Sequence, residues 1–139
     1  MKRIVGRRYN EMFFSADVFN LDLGDNYADE DGDPMPEFSL SVLGNFRFEA
    51  GDAVLLRSQE ILAEHGRDGR ASTGDSRVLA VADALRGKTV AHVELAASGD
   101  LTVAFTGGIR FVFEGKDGSF ALHGHHEYAP FITFGKELS

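Results

Sequence analysis

Two clusters of side chains in this 139-residue chain have the types and spacing to bind a cation or a basic partner. Carboxylates suit hard cations and pair with lysine and arginine, whereas imidazoles are common ligands of transition metals. One cluster lies within residues 25–37, and its carboxylates belong to Asp25, Asp29, Glu30, Asp31, Asp33 and Glu37. The other lies near the C-terminal end and consists of His123, His125, His126 and Glu127.

The acidic cluster departs from the calcium loop of an EF-hand. If Gly32 takes the sixth position of such a loop, Asp29 and Asp31 take the third and fifth positions. Tyr27 and Phe38 then fall at the first and twelfth positions, where the ion requires carboxylates. The EF-hand is therefore excluded. An irregular calcium site, a docking patch for a basic partner and a solvated acidic loop remain open.

The histidine cluster has the spacing of a small metal site. In a strand, residues two apart share a face, so His123 and His125 can chelate one metal, with Glu127 as a third candidate ligand. A cupin-like site would require a glutamate four or five residues after His125, where this chain has Ala129 or Pro130. Gly118 and Gly124 indicate a turn between strands, so we expect exposed loop histidines that hold no metal tightly, and no cofactor.

The charge of the chain is concentrated in its first third. Nine of the 22 acidic residues lie between residues 9 and 46, and all 14 basic residues lie outside that segment. A negatively charged surface patch attracts positively charged partners and repels nucleic acid and anionic lipid. The formal charge of −8 therefore predicts a basic protein partner, with neither nucleic acid nor membrane as a target.

Composition and motifs argue against a secreted protein and against most enzymes. The chain has no cysteine, and no stretch approaches the roughly 18 apolar residues of a membrane helix. We expect a cytoplasmic protein. A glycine-rich phosphate loop, a Gly-x-Ser-x-Gly motif and a His-Glu-x-x-His motif are all missing from the sequence, which favours a non-enzymatic role.

Alternating apolar residues predict an α+β fold. We expect one domain over residues 1–139, mainly of antiparallel strands in a curled sheet or a sandwich, with one helix near 75–86. Segments 38–50 and 101–114 each predict a hairpin, and their similarity indicates a weak internal repeat. The turns are placed at Gly44-Asn45 and at Gly107-Gly108. Segment 54–62 fits a strand or a helix, and segment 65–74 predicts a loop.

The apolar faces of these strands predict the hydrophobic core. If the two hairpins face each other, their inward side chains pack together. The predicted core consists of Phe38, Leu40, Val42, Phe46, Phe48, Val93, Leu95, Leu101, Val103, Phe105, Ile109, Phe111 and Phe113.

Two segments of the chain form a pattern when they are taken together. The first is FSLSVLGNFRFEAGDAVLLRSQEI (38–61). The second is LRGKTVAHVELAASGDLTVAFTGGIRFVFEG (85–115), followed by His126-Glu127-Tyr128. Together they resemble a family of small bacterial β-rich proteins of unknown function, whose members look like immunity proteins of polymorphic toxins. The family pattern has a tryptophan after the glutamate, where this chain has tyrosine, and the acidic insertion at 25–37 is particular to this chain.

The resemblance implies a non-enzymatic immunity protein that neutralises a cognate toxin, and it transfers no catalytic residue. The charge pattern adds a mechanism, in which acidic side chains cover the cationic surface that a toxin uses for its own substrate. Two alternatives stay open. One is a small metal-binding enzyme that uses His123, His125 and Glu127. The other is a housekeeping β-domain whose charge serves solubility. The oligomeric state is not predicted.

Overall fold

The computed structural model describes residues 2–15, 17–65, 76–125 and 132–134, which form antiparallel sheets with two α-helices. The predicted α+β, mainly antiparallel fold class is confirmed. A short 3-10 helix (Lys2–Ile4) comes first. The strands and helices are β1 (Tyr9–Ser15), β2 (Val18–Leu23), β3 (Tyr27–Ala28), β4 (Pro34–Met35), β5 (Phe38–Leu43), β6 (Phe46–Ala50), β7 (Ala53–Arg57), α1 (Ser58–His65), α2 (Ser76–Leu85), β8 (Val90–Leu95), β9 (Leu101–Phe105), β10 (Ile109–Phe113), β11 (Ser119–Gly124) and β12 (Ile132–Phe134).

Ten of the strands form two five-stranded sheets. The first has the order β1-β2-β5-β11-β12, and the second has the order β7-β6-β10-β9-β8. All pairs of neighbouring strands are antiparallel. Within the described ranges, β3 and β4 pair only with each other and form a two-stranded hairpin. This hairpin carries the centre of the acidic cluster.

The two large sheets share one hydrophobic core, because strands such as β5, β6 and β9 turn alternate apolar side chains toward the other sheet. The ring of Phe19 in the first sheet stacks on Phe46 of the second, with 4.3 Å between centroids, and lies 5.8 Å from the ring of Phe111. The predicted core residues are buried except Val93 and Leu95, which are partly buried and pack against the same cluster.

The prediction of a hairpin at Gly44-Asn45 is wrong. Strands β5 and β6 belong to different sheets and do not pair. A two-residue turn would place Val42 opposite Arg47, and cross-strand partners share a face, so the two apolar faces would point to opposite sides. The chain instead passes from one sheet to the other, and both faces reach the common core. The similarity of 38–50 to 101–114 therefore does not reflect a repeated hairpin.

The hairpin predicted at Gly107-Gly108 exists, but its turn is one residue longer than predicted. Strands β9 and β10 pair in a register that joins Ala104 to Arg110, and Thr106 lies in the turn with the two glycines. Both glycines have positive φ, 90° and 93°. The longer turn brings Phe105 and Ile109 to the same face, where both are buried.

The helix predicted near 75–86 is confirmed as α2, whose buried side chains are Val78, Val81 and Leu85. The ambiguous segment 54–62 contains both structures, since β7 ends at Arg57 and α1 begins at Ser58. Ser58 is buried, and its Oγ accepts the backbone N–H of Phe46 at 3.0 Å. The loop predicted at 65–74 falls almost entirely outside the described residues.

Among the described residues, neither helix has the length and apolar character needed to cross a membrane.

Candidate functional site

The acidic tip, defined as residues 29–33, is the turn that joins β3 to β4. The backbone N–H of Asp29 donates to the carbonyl of Asp33, and Gly32 donates to the carbonyl of Asp29. The Asp29 carboxylate accepts the backbone N–H groups of Asp31 and Asp33, both at 2.9 Å. Aspartate favours turns for this reason, and Gly32 supplies the positive φ of 82° that closes the loop. The tip is thus an ordered turn with outward-facing acids.

The base of the hairpin is fixed to the body of the protein by ion pairs. Glu37 contacts the Arg7 guanidinium at 3.3 Å, and its other oxygen accepts the backbone N–H of Asp25 at 3.0 Å. Asp25 also lies 3.8 Å from Arg8. A β-carbon at Gly24 would lie 2.5 Å from the Glu37 carboxylate, so only glycine allows this approach. Two of the six predicted binding acids therefore serve as anchors.

The other four predicted acids are at the tip. Glu30, Asp31 and Asp33 are exposed, and Asp29 is half-buried because it holds the turn. Within the described ranges, no ion pair neutralises any of these four carboxylates. The structure thus divides the acidic cluster into an anchored base, at Asp25 and Glu37, and a tip whose negative charge faces solvent.

The tip also contains the one group of potential metal ligands found among the described residues. Carboxylate oxygens of Asp29, Asp31 and Asp33 all lie within 4.8 Å of one another. Calcium takes six to eight oxygen ligands, and the carboxylates of these three residues supply only part of that shell. One oxygen of Asp29 is already engaged by two backbone N–H groups. The geometry suits recognition of a cationic group at the surface better than a closed metal site.

The histidine cluster is placed differently from its prediction. Residues 119–124 form β11 and not a turn, because Phe120 and Leu122 alternate into the core. His123 is half-buried in that strand and lies opposite Ser39 of β5. His125 is also half-buried, and its Nε2 lies 3.2 Å from the Ser39 hydroxyl. His126 and Glu127 lie outside the described residues, so the third candidate ligand of the metal site is not placed.

Ser39 connects His125 to a buried carboxylate that sequence reasoning did not single out. The Ser39 hydroxyl lies 2.9 Å from Oδ1 of Asp22, a residue only 7% exposed although it is on the sheet face opposite the core. Burial raises the pKa of the Asp22 carboxyl to about 6, the hydrogen bond from Ser39 opposes this rise, and the Glu11 charge adds to it. Asp22 occupies an ordinary polar position in an alternating strand, so the sequence carries no signal of its burial.

This polar row lacks the order of a nucleophilic triad. A triad places histidine between the acid and the nucleophile, whereas here the serine lies between Asp22 and His125. Burial, with a smaller contribution from the charge of His123, lowers the pKa of His125. Because the Ser39 hydroxyl donates its proton to Asp22, its oxygen can only accept from the His125 ring, so the histidine does not act as a base toward this serine.

A cleft of about 320 Å³ lies between β1 and α2, lined by residues that include Tyr9, Glu11, Ala82 and Arg86. Burial raises the pKa of the Tyr9 phenol to about 12, and the Glu11 charge adds to this rise. The phenol is therefore protonated at neutral pH and is not a nucleophile. The arrangement supplies polar contacts but no activated acid–base pair.

No protein-family model matches this chain, and no curated protein or solved structure shows significant similarity to it.

Proposed function

We propose that this chain is a non-enzymatic binding protein, an immunity protein that neutralises a cognate bacterial toxin in the cytoplasm, and that its acidic tip is the docking site. The observation that carries the proposal is the unneutralised charge of the tip, which projects on a hairpin separate from both large sheets. The resemblance of 38–61 and 85–115 to immunity-type proteins points to the same class of function.

The mechanism follows from the position of the charges. A toxin that acts on nucleic acid presents lysine and arginine to phosphates, and the same surface attracts a compact group of carboxylates. Glu30, Asp31 and Asp33 lie on an ordered turn, so little loop entropy is lost on docking. The anchored base resists displacement of the hairpin. Binding at the cationic surface then blocks access of the toxin to its substrate.

The direct test is a pull-down with the product of the neighbouring gene, followed by neutralisation of the tip. We expect Glu30→Gln, Asp31→Asn and Asp33→Asn together to weaken capture by at least about tenfold, since charged pairs at an interface contribute on that scale. Asp29 is retained because it closes the turn. The matched control is Asp52→Asn with Asp83→Asn and Asp117→Asn, three exposed acids outside the acidic segment.

The outcomes separate the alternatives. Loss of capture in the tip variant, with normal capture in the control, supports docking at the tip. Equal weakening in both variants indicates that net charge alone drives association, which contradicts a docking site. Failure of the neighbouring product to bind the wild-type protein removes the support for the immunity function itself.

A further inference from the structure

Among the described residues, β8 has a pairing strand on one side only, and its other side is an edge of the second sheet. One side of β8 pairs with β9, and Ala96 donates its N–H to Asp100 toward that side at 2.9 Å. Successive residues of an antiparallel strand direct their backbone groups to opposite edges, so those of Val93 and Leu95 point away from β9. Gly6 and Arg7 bond this outer edge only at Val90. In the part of the chain that the structure describes, no strand pairs with the edge over 91–95.

The side chains at this edge are apolar on one face, and on the other face they combine a hydrogen-bond donor, His92, with an acceptor, Glu94. Val93 and Leu95 pack against the core but are only partly buried, because the sheet ends beside them. His92 and Glu94 are exposed on the outer face, with 3.9 Å between His92 Nε2 and Glu94 Oε2. Val5, 45% exposed, precedes the segment that bonds Val90. The edge thus offers backbone hydrogen bonds together with apolar area.

We propose that this edge pairs with the same edge of a second copy of the chain, about a two-fold axis at Val93. An isologous contact of this kind brings the same surface of both copies together. Antiparallel pairing centred on Val93 places His92 of each copy opposite Glu94 of the other. An imidazole N–H is a donor in either protonation state, and the carboxylate is an acceptor, so both pairs are favourable. The second sheet of one copy (β7-β6-β10-β9-β8) and the second sheet of the other then form one continuous sheet.

The charges select this register over its neighbour. A shift that moves the two-fold axis to Glu94 places the two glutamates directly opposite each other, and like charges opposite each other are destabilising. The same shift leaves Val93 opposite Leu95, so apolar contacts alone do not distinguish the two registers. His92 and Glu94 therefore determine which of the two pairings forms.

The contact is small, so the dimer is reversible. A single pair of five-residue edges buries less than the roughly 1,200 Å² that a stable specific interface requires. We expect monomer at low micromolar concentration and dimer as the concentration approaches about 1 mM, which corresponds to a weak interface. This inference does not depend on the acidic tip or on a toxin partner.

Sedimentation velocity of the purified chain from about 10 µM to 1 mM tests the proposal, since this range covers a weak dissociation constant. His92→Glu creates two like-charge pairs, and we expect about tenfold weaker dimerisation. The double exchange His92→Glu with Glu94→His restores opposite partners and should return the dissociation constant to within about threefold of wild type. Gln59→Glu on α1 adds the same charge far from the edge and should have no effect.

Val93→Pro is the second test. Proline is tolerated on an edge strand where its missing N–H faces outward, and it removes the central intermolecular hydrogen bonds. We expect a folded monomer at all concentrations, with folding checked by circular dichroism; if this variant does not fold, the His92 variants decide. Two results would overturn the proposal: a wild-type chain that stays monomeric at about 1 mM, or a dimer that His92→Glu leaves unchanged.

Discussion

The body of the protein and its acidic hairpin use the same type of side chain in opposite ways. In the body, Asp22 is buried and bonded to Ser39. At the tip, Asp31 and Asp33 are exposed, and their carboxylates have no ion pair among the residues that the structure describes. A run of acids in the sequence is therefore not one patch in the fold. The body's carboxylate affects stability, whereas the tip's carboxylates are available to a partner.

The largest effect should come from the body's aromatic core. Phe111 is fully buried, with the rings of Phe48, Phe46 and Phe19 at 5.2, 5.5 and 5.8 Å. Phe111→Ala should lower the free energy of unfolding by about 3–5 kcal/mol, because it leaves a cavity where the two sheets meet. Denaturant unfolding measures this loss. Phe13→Ala is the matched control on a half-buried ring, and an equal loss in both variants would contradict the placement of the core.

The difference between body and hairpin could be predicted from sequence only in part. Period-two patterns identify most strands and the inward-facing residues, because burial of one face requires strict alternation. They do not identify which strands pair. The strands that contain Val42 and Phe46 would show the same alternation whether they paired with each other or belonged to two sheets. The phase across the turn decides this: Gly44-Asn45 is out of phase for a hairpin, and the three-residue turn at Thr106 is in phase.

The functional residues also divide into those with a local signal in the sequence and those without one. The tip could be predicted because charge and turn residues are local features. The anchoring of Glu37 by Arg7 joins residues 30 positions apart, and the burial of Asp22 depends on neighbours from other strands. Neither has a local signal. The sequence predicts a turn where β11 lies because Gly118 and Gly124 outweigh a short apolar alternation between them.

The next effect concerns Asp22 and pH. Its pKa of about 6 in the folded protein is above the ordinary value of 3.8, so the folded state holds this proton more tightly than the unfolded state. The associated stability is fully present below pH 3.8 and is lost as the pH rises through 6. Asp22→Asn should remove this loss. Between pH 4 and pH 7, the free energy of unfolding of this variant should therefore rise by up to about 3 kcal/mol relative to that of wild type.

Denaturant unfolding across that pH range measures the gain. Ser39→Ala extends the comparison, because the Ser39 hydrogen bond lowers the Asp22 pKa. Its removal should move the loss of stability to higher pH. Parallel stability curves for wild type and Asp22→Asn would show that this carboxyl does not titrate differently in the folded state.

A smaller effect is expected at the hairpin's base. Glu37→Ala removes both the ion pair with Arg7 and the acceptor for the Asp25 N–H. The expected loss of stability is about 1–2 kcal/mol, because each of these two partly exposed contacts contributes roughly 0.5–1 kcal/mol. Hydrogen exchange of the Asp25 amide should accelerate more than that of core amides in β10. Unchanged exchange at Asp25 would show that Glu37 does not hold the hairpin in place.

Neutralisation of the tip should have the smallest effect on stability and the largest effect on binding. Glu30→Gln with Asp31→Asn and Asp33→Asn should change the free energy of unfolding by less than about 0.5 kcal/mol, as is usual for exposed side chains. Denaturant unfolding of this variant provides the reference for the binding experiment. A loss of several kcal/mol would mean that the tip belongs to the folded body and that the proposed division is wrong.

The most direct measurement is the association rate of wild type and the tip variant with the neighbouring gene product, over a series of ionic strengths. Peripheral charges steer encounter and are screened beyond about 8 Å at physiological salt. At low salt the tip variant should associate about tenfold more slowly or worse than wild type, and the difference should fade as salt rises. Equal rates at every ionic strength would contradict docking through Glu30, Asp31 and Asp33.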